Sequence, residues 1–284
     1  MHPLLFVYRV AYDAFLAFLR DDGWAIASHI ALSTLMSLFP FLIFVTALAG
    51  SMFGTEELAN QVASLLLDAW PHEVAEPIAA EIARVLTNAH RGVLTAGVVL
   101  AIYFSSSGIE SLRIGLNRAY GQMELRPWWL LRLESIAYVL VAALALTALA
   151  FLIVLAPLIF ATALRYAPWL AGAEPTFNFV RFAVATAILV VALVVGHKWL
   201  PSGQRTLAEI TPGIAVTLVL WIFAGAVFGR FLERFSTAYV TTYAGLASAM
   251  VALVFLYWTA GIFVYGGELN QSIRRARKLR RRGG

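Results

Sequence analysis

The sequence has no cysteine, which excludes a disulfide scaffold, thiolate metal ligands and thiol redox chemistry at its own residues. Charge is scarce as well. Asp, Glu, Lys and Arg make up 13% of the 284 residues, against roughly 25% in an ordinary soluble domain. The five histidines (His2, His29, His72, His90 and His197) nowhere adopt a metal-binding spacing such as H-x-x-x-H. A Gly-x-x-x-x-Gly-Lys-Ser/Thr phosphate loop is missing, which argues against ATP hydrolysis, and so is a Gly-x-Ser-x-Gly elbow. No metal, cofactor or catalytic residue is therefore expected, and the chain does not read as an enzyme. What is abundant is apolar surface: 61% of residues are hydrophobic and the mean hydropathy is +0.80. That composition leaves an all-α polytopic membrane protein, read as one domain because each soluble stretch is too short to fold alone.

A membrane helix needs about 20 mostly apolar residues to cross roughly 30 Å of hydrocarbon. Five stretches qualify plainly: Ala25–Phe53, Ile136–Leu164, Phe179–Val195, Pro212–Phe231 and Tyr243–Gly267. A sixth, Gly92–Phe104, is apolar for 13 residues and spans only if its helix continues through Ser105-Ser106-Ser107 towards Glu110. The expected layout is an interfacial helix over 1–24, then spans at 25–54, 92–120 (with a cytoplasmic extension), 133–164, 178–199, 208–231 and 243–269, and a tail over 270–284. The outer segment 55–91 reads as two amphipathic helices. One carries Leu58, Val62, Leu65 and Leu66, the other Ile78, Ile82, Val85 and Leu86, and Trp70-Pro71 separates them.

Orientation follows from the basic residues, which concentrate on the cytoplasmic side. With both termini inside, 15 of the 21 Lys and Arg fall on inner segments and six on outer ones, while acidic residues split eight and eight. The net charge of +5 is therefore a topology signal, and no nucleic-acid partner is expected. The tail residues Arg274, Arg275, Arg277, Lys278, Arg280, Arg281 and Arg282 belong beside the inner leaflet. There, anionic headgroups attract each charge by about 1 kcal/mol. No cleavable signal peptide is expected: residues 3–20 place Arg9, Asp13 and Arg20 on one face, with Phe6, Tyr12, Phe15 and Phe18 over the rest.

The second span carries the functional signal. At 100° per residue Ser106, Glu110, Arg113, Asn117 and Tyr120 fall within about 80° of one another, a polar stripe at helical spacing. Thirteen apolar residues rise only about 20 Å, so the stripe begins within membrane depth, where ionisable groups are expensive unless they face a partner or a wet cavity. Glu110 and Arg113, three residues apart, can pair with one another. The bland alternative is a helix that leaves the membrane at Ser105 with its stripe in cytoplasmic water. Glu268 and Asn270, at the inner end of the last span, lie at similar depth and can share a polar path with the stripe. Pro40, Pro157, Pro212 and Gly213 interrupt spans and are hinge candidates. Gly225 and Gly229 form a small-xxx-small pattern, compatible with packing inside one chain or with a homo-oligomer.

The run Ala31-Leu32-Ser33-Thr34-Leu35-Met36-Ser37-Leu38-Phe39-Pro40 resembles the opening of the YihY/BrkB family of bacterial inner-membrane proteins. The likeness continues through Ser105–Leu112, Leu116–Tyr120, Leu200-Pro201, Pro212-Gly213, Trp221, Tyr243–Leu246 and Gly267-Glu268-Leu269-Asn270, in family order over nearly the whole chain. The resemblance implies six spans with both ends cytoplasmic. It also implies a role in envelope integrity, with export of lipid-like molecules proposed for some members. An older family label, ribonuclease BN, finds no support in these residues.

Three classes of function compete. The leading one is a transporter or flippase for an amphipathic anionic molecule, such as a lipid or glycolipid precursor. In it Arg113 meets the headgroup, Glu110 tunes it or carries a coupling proton, and Asn117 donates a hydrogen bond. The second is a non-transporting envelope scaffold that recruits partners through its outer loop and tail. The third, an intramembrane enzyme, lacks an assembled set of catalytic groups.

Overall fold

The computed structural model describes residues 3–53, 91–152, 156–243 and 247–282. The outer segment with its two expected amphipathic helices lies outside them. The described residues form eight α-helices and a 3-10 turn, with no strand among them. In chain order these are α1 (Pro3–Arg20), α2 (Gly23–Phe53), α3 (Arg91–Ala119), α4 (Trp128–Ala150), α5 (Ala156–Tyr166), the 3-10 turn Pro168–Ala173, α6 (Glu174–Trp199), α7 (Leu207–Tyr243) and α8 (Ala247–Arg282). Four stretches are long and apolar enough to cross a membrane: Trp128–Leu149, Pro168–Trp199, Leu207–Leu232 and Ala249–Leu279. Gly23–Leu38 is a shorter apolar helix.

The helix ends have local causes. Pro3 suits the first turn of α1, where its missing N–H costs no hydrogen bond, and Pro157 lies on α5, next to residues outside the described ones. Between α1 and α2 the chain turns at Asp22, whose φ of +57° is left-handed. A side chain at Gly23 would meet the Phe18 ring at 2.4 Å, so only glycine fits beneath that ring. The backbone N–H of Thr206 donates to Glu209 Oε2 at 2.9 Å, half of a capping box that starts α7. Helix α3 runs unbroken through Ser105-Ser106-Ser107, the condition for its length to suffice. Helices α7 and α8 outrun their apolar stretches, and α8 carries the basic tail as helix to Arg282.

The chain divides into two compact units. The first comprises Met1–Leu38, Ser105–Ser135 and Leu193–Gly284, the second Phe39–Phe104 and Ile136–Ala192.

In the first unit α1 buries Val10, Ala14, Ala17 and Phe18, the i, i+4, i+7, i+8 stripe of a helix packed on one side. Val10 and Ala14 pack with Leu269 of α8, and the Tyr265 hydroxyl donates to the Ala11 carbonyl at 3.2 Å. The opposite face of α1 leaves Tyr8, Tyr12, Phe15 and Leu19 exposed, the pattern of a helix lying in a membrane interface. Helices α7 and α8 meet at two glycines. A Cβ on Gly213 would stand 2.2 Å from the Gly266 carbonyl oxygen, and one on Gly266 would stand 2.2 Å from Thr217 Oγ1. The backbones approach this closely because neither glycine has a side chain. At Gly225 and Gly229, by contrast, a Cβ would meet nothing within 4 Å.

In the second unit Ala101 and Ala143 form a small buried contact flanked by Phe41 and Ile102. Phe160 stacks on Phe177 at 4.4 Å, and the Arg181 guanidinium lies 4.5 Å over the Phe182 ring.

Candidate functional site

The polar stripe of α3 is packed inside the first unit, not bathed in solvent. Ser106, Arg113, Asn117 and Tyr120 are all buried, while Glu110 remains partly exposed. Their partners come mainly from the chain that follows each helix. Glu110 pairs with Arg132 of α4 at 2.7 Å, not with Arg113. Asn117 holds two connecting segments at once: its Nδ2 donates to Glu124 Oε2 at 3.0 Å, and its Oδ1 accepts from the Ser202 backbone N–H at 2.7 Å.

Arg126 extends this clamp. It makes a two-pronged contact with Glu124 (2.8 and 2.7 Å), reaches Glu134 at 2.8 Å and donates to the Leu200 carbonyl at 3.3 Å. The hydrogen bonds from Arg126 pull the Glu124 carboxyl down to a pKa of about 2, and Glu124 in turn raises that of Arg126.

A second chain of bonds crosses from the end of α3 to α6, α7 and α8. The Gly213 N–H donates to Asn270 Oδ1 at 2.7 Å, which orients the amide so that Nδ2 donates to the Tyr120 hydroxyl oxygen at 3.0 Å. The same hydroxyl shares a hydrogen bond with His197 Nδ1, 2.9 Å away. His197 is fully buried, and its Nε2 has no partner among the described residues; the same holds for Thr217 Oγ1. Arg205 caps the chain, its guanidinium 4.0 Å over the Tyr120 ring. That guanidinium donates to the carbonyls of Pro201, Ser202 and Gly203, and burial lowers its pKa.

Arg113 stands apart from both networks. It is 2% exposed, and only its Nη2 is engaged, with the Leu131 carbonyl at 3.1 Å and the Ser135 hydroxyl. Its Nε and Nη1 have no acceptor among the described residues. Arg113 is thus a buried guanidinium with no carboxylate in hydrogen-bond contact and two donors unused among the described residues.

Of the residues singled out in the sequence, Tyr120 and Asn270 meet directly, and Asn117 grips the same 200–206 segment from one turn away. Glu268 is buried on α8, and its Oε2 has no hydrogen-bond partner among the described residues. In the tail, Arg274 pairs with Glu209 at 3.4 Å, while Arg275, Arg277 and Lys278 are exposed to differing degrees. Pro40 and Pro212 lie inside continuous helices.

Sequence reasoning passed over His197, Arg205, Arg126 and Glu124. A lone histidine has no periodicity to flag it. The signal for the others was the crowding of Glu124, Arg126 and Pro127 in one short link, and of Pro201, Gly203 and Arg205 in the other. Among the described residues no three of His, Asp and Glu converge as a metal-binding group. A hollow of about 160 Å3, almost wholly apolar, opens between α1, α2, α7 and α8, lined by Phe15, Phe18, Trp24, Trp258, Ile262 and Tyr265 among others.

Four helices long and apolar enough to cross a membrane define an integral membrane protein. The chain belongs to the family described as virulence factor BrkB, whose family model matches residues 14–284. It is similar to YfkH of Bacillus subtilis (strain 168), a protein named as ribonuclease-like, with 25% identity over 279 residues that cover 94% of this chain and 96% of that one. No solved structure matches the chain.

Proposed function

We propose that this protein spans a bacterial inner membrane six times with both termini cytoplasmic, and that it transports or flips an amphipathic, anionic molecule of the lipid or glycolipid-precursor class that the envelope needs. The observation that carries this reading is Arg113, a buried guanidinium with two unused donors inside the helical bundle of the first unit. An anionic headgroup supplies what the site lacks, and one charge-assisted hydrogen bond of that kind contributes about 1.5–3 kcal/mol. The apolar hollow beside α1 suits an acyl chain, and the exposed aromatic face of α1 suits the interface from which such a molecule would come. Six spans are reached by adding α2 and α3 to the four long apolar helices, and the sorting of basic residues supports the orientation.

The test is reconstitution in phosphatidylcholine vesicles carrying a trace of fluorescent phosphatidylglycerol or fluorescent phosphatidylcholine. The wild type should move the anionic probe between leaflets, and Arg113→Ala should slow that movement about ten- to hundredfold, the equivalent of one charge-assisted bond. Arg113→Lys should retain part of it. Equal rates in wild type and Arg113→Ala, or in wild type and protein-free vesicles, contradict the reading. They favour a scaffold that acts through partners.

A further inference from the structure

The link between α3 and α4 has two unlike faces. Helix α3 ends where Gly121 takes a φ of +59°. There the Gln122 N–H donates to the Asn117 carbonyl at 2.8 Å, and the Gly121 N–H to the Arg118 carbonyl at 2.9 Å. The chain then stays non-helical until Trp128. Its side chains alternate as they do on extended backbone: Gln122, Glu124 and Arg126 are half-buried, while Met123, Leu125 and Pro127 are exposed. Pro127 reinforces this, because the residue before a proline is pushed away from helical geometry.

The inward side chains are all held. Gln122 donates to the Tyr120 carbonyl at 3.2 Å and lies against Gly203, where a Cβ would stand 2.9 Å from its Oε1. Glu124 and Arg126 tie the link to Asn117 of α3, Glu134 of α4 and the Leu200 carbonyl. The outward side chains carry no charge. Leu125 is 87% exposed and Met123 81%, and the Trp128 and Trp129 that follow are 79% and 58% exposed. Large apolar side chains gathered on a surface mark a contact with something other than water.

Their place in the fold says what that something is. The membrane-length stretch of α4 begins at Trp128, that of α6 ends at Trp199, and that of α7 begins at Leu207. Arg126 holds the link 3.3 Å from the carbonyl of Leu200, one residue past the end of the α6 stretch. The link is thereby pinned where apolar helices leave the hydrocarbon. Leu125 stands three residues before Trp128, a reach of at most about 10 Å. Hydrocarbon does not suit the link, because non-helical peptide groups facing lipid find no hydrogen-bond partner there. Bulk water does not suit Met123, Leu125 and two tryptophans. The boundary between headgroups and acyl chains suits both, and it is where tryptophan gathers.

We infer that the α3–α4 link is a membrane strap: Met123, Leu125, Trp128 and Trp129 rest in the headgroup–acyl boundary of the bilayer, while Gln122, Glu124 and Arg126 lock the same segment to the protein. The strap follows from the spans and the clamp, whatever the protein carries.

Spin labelling of the full chain tests it. The sequence has no cysteine, so Met123→Cys and Leu125→Cys each create a single labelling site. Both replace exposed side chains, and an unchanged thermal midpoint checks that the fold is kept. In vesicles of phosphatidylcholine and phosphatidylglycerol, collisions of the nitroxide with oxygen and with a neutral nickel chelate report its depth. Phosphatidylcholine labelled on the headgroup, or on the acyl chain near the ester, supplies the scale. Labels at 123 and 125 should read between these two marks. A label at Val219→Cys, 65% exposed within the membrane-length stretch of α7, should read deeper than either. Nickel access at 123 and 125 above that of the headgroup-labelled lipid places the link in water and overturns the strap. Low access to both reagents at both positions overturns it as well, because a partner protein or a second copy then covers the patch.

Discussion

The two units handle polar groups in opposite ways. Every buried polar or charged side chain among the described residues belongs to the first unit, from Ser37 through Arg113, His197 and Arg205 to Glu268, Asn270 and Ser272. The second unit buries small or branched apolar residues, Ala101, Val139, Ala143 and Ala185, and exposes large ones such as Phe182 and Val191. In a membrane the second pattern is the default, because hydrocarbon offers polar groups no partner and apolar side chains face it without penalty. The first pattern is expensive and needs a reason. Where a buried group finds partners, as Asn117 does in Glu124 and the Ser202 N–H, the reason is structural. Arg113 has two donors left over, and the proposed anion site rests on them.

That contrast can be broken most severely at the α7–α8 crossing. Gly213→Val places side-chain atoms where the Gly266 carbonyl already stands, and should destabilise the first unit by more than about 3 kcal/mol, read as a lost or strongly lowered thermal midpoint in detergent. The next effect is Tyr120→Phe. It removes the hydroxyl that joins Asn270 to His197 and leaves a buried donor and a buried acceptor unpaired, for a loss of about 1–3 kcal/mol in the same measurement.

Arg126→Ala sharpens the comparison through pH. Glu124 is held at a pKa of about 2 in the fold, below its value of about 4.3 in an unfolded chain. The pair therefore stabilises fully above about pH 4.3, and that stability is lost as the pH falls towards 2. The variant should be less stable by about 1 kcal/mol at neutral pH, a modest figure because both groups are roughly a quarter exposed. It should also show a flatter decline in thermal midpoint between about pH 5 and about pH 2. Smallest of all, Val191→Ala in the second unit should change stability by no more than about 0.5 kcal/mol, since that side chain is 60% exposed.

What was legible in the sequence is what repeats along a single helix. Hydropathy located the apolar helices, and 3.6-residue periodicity put Ser106, Arg113, Asn117 and Tyr120 on one face, which the structure buries together. Partnerships across the chain were not legible. Glu110 and Arg113 have the right local spacing to pair, yet Arg132, 22 residues further on, takes Glu110. Nothing local announces that the Asn117 amide meets the Ser202 N–H, 85 residues away. Glycine spacing pointed to Gly225 and Gly229, whose surroundings are open. The close approach occurs instead at Gly213 and Gly266, on separate helices, where no motif within one segment records it. The helix ends ran past the expected spans for a similar reason: hydropathy follows what hydrocarbon tolerates, whereas α7 and α8 continue as helix beyond it.

The central claim is that the unused donors of Arg113 mark an anionic headgroup's place. Mass spectrometry of lipids that copurify with the protein tests it most directly, comparing wild type with Arg113→Ala at matched purity and folding. The account predicts an anionic lipid enriched over the bulk membrane in the wild type and returned to bulk proportion in the variant. Bulk composition in both preparations, or the same enrichment in both, would contradict it.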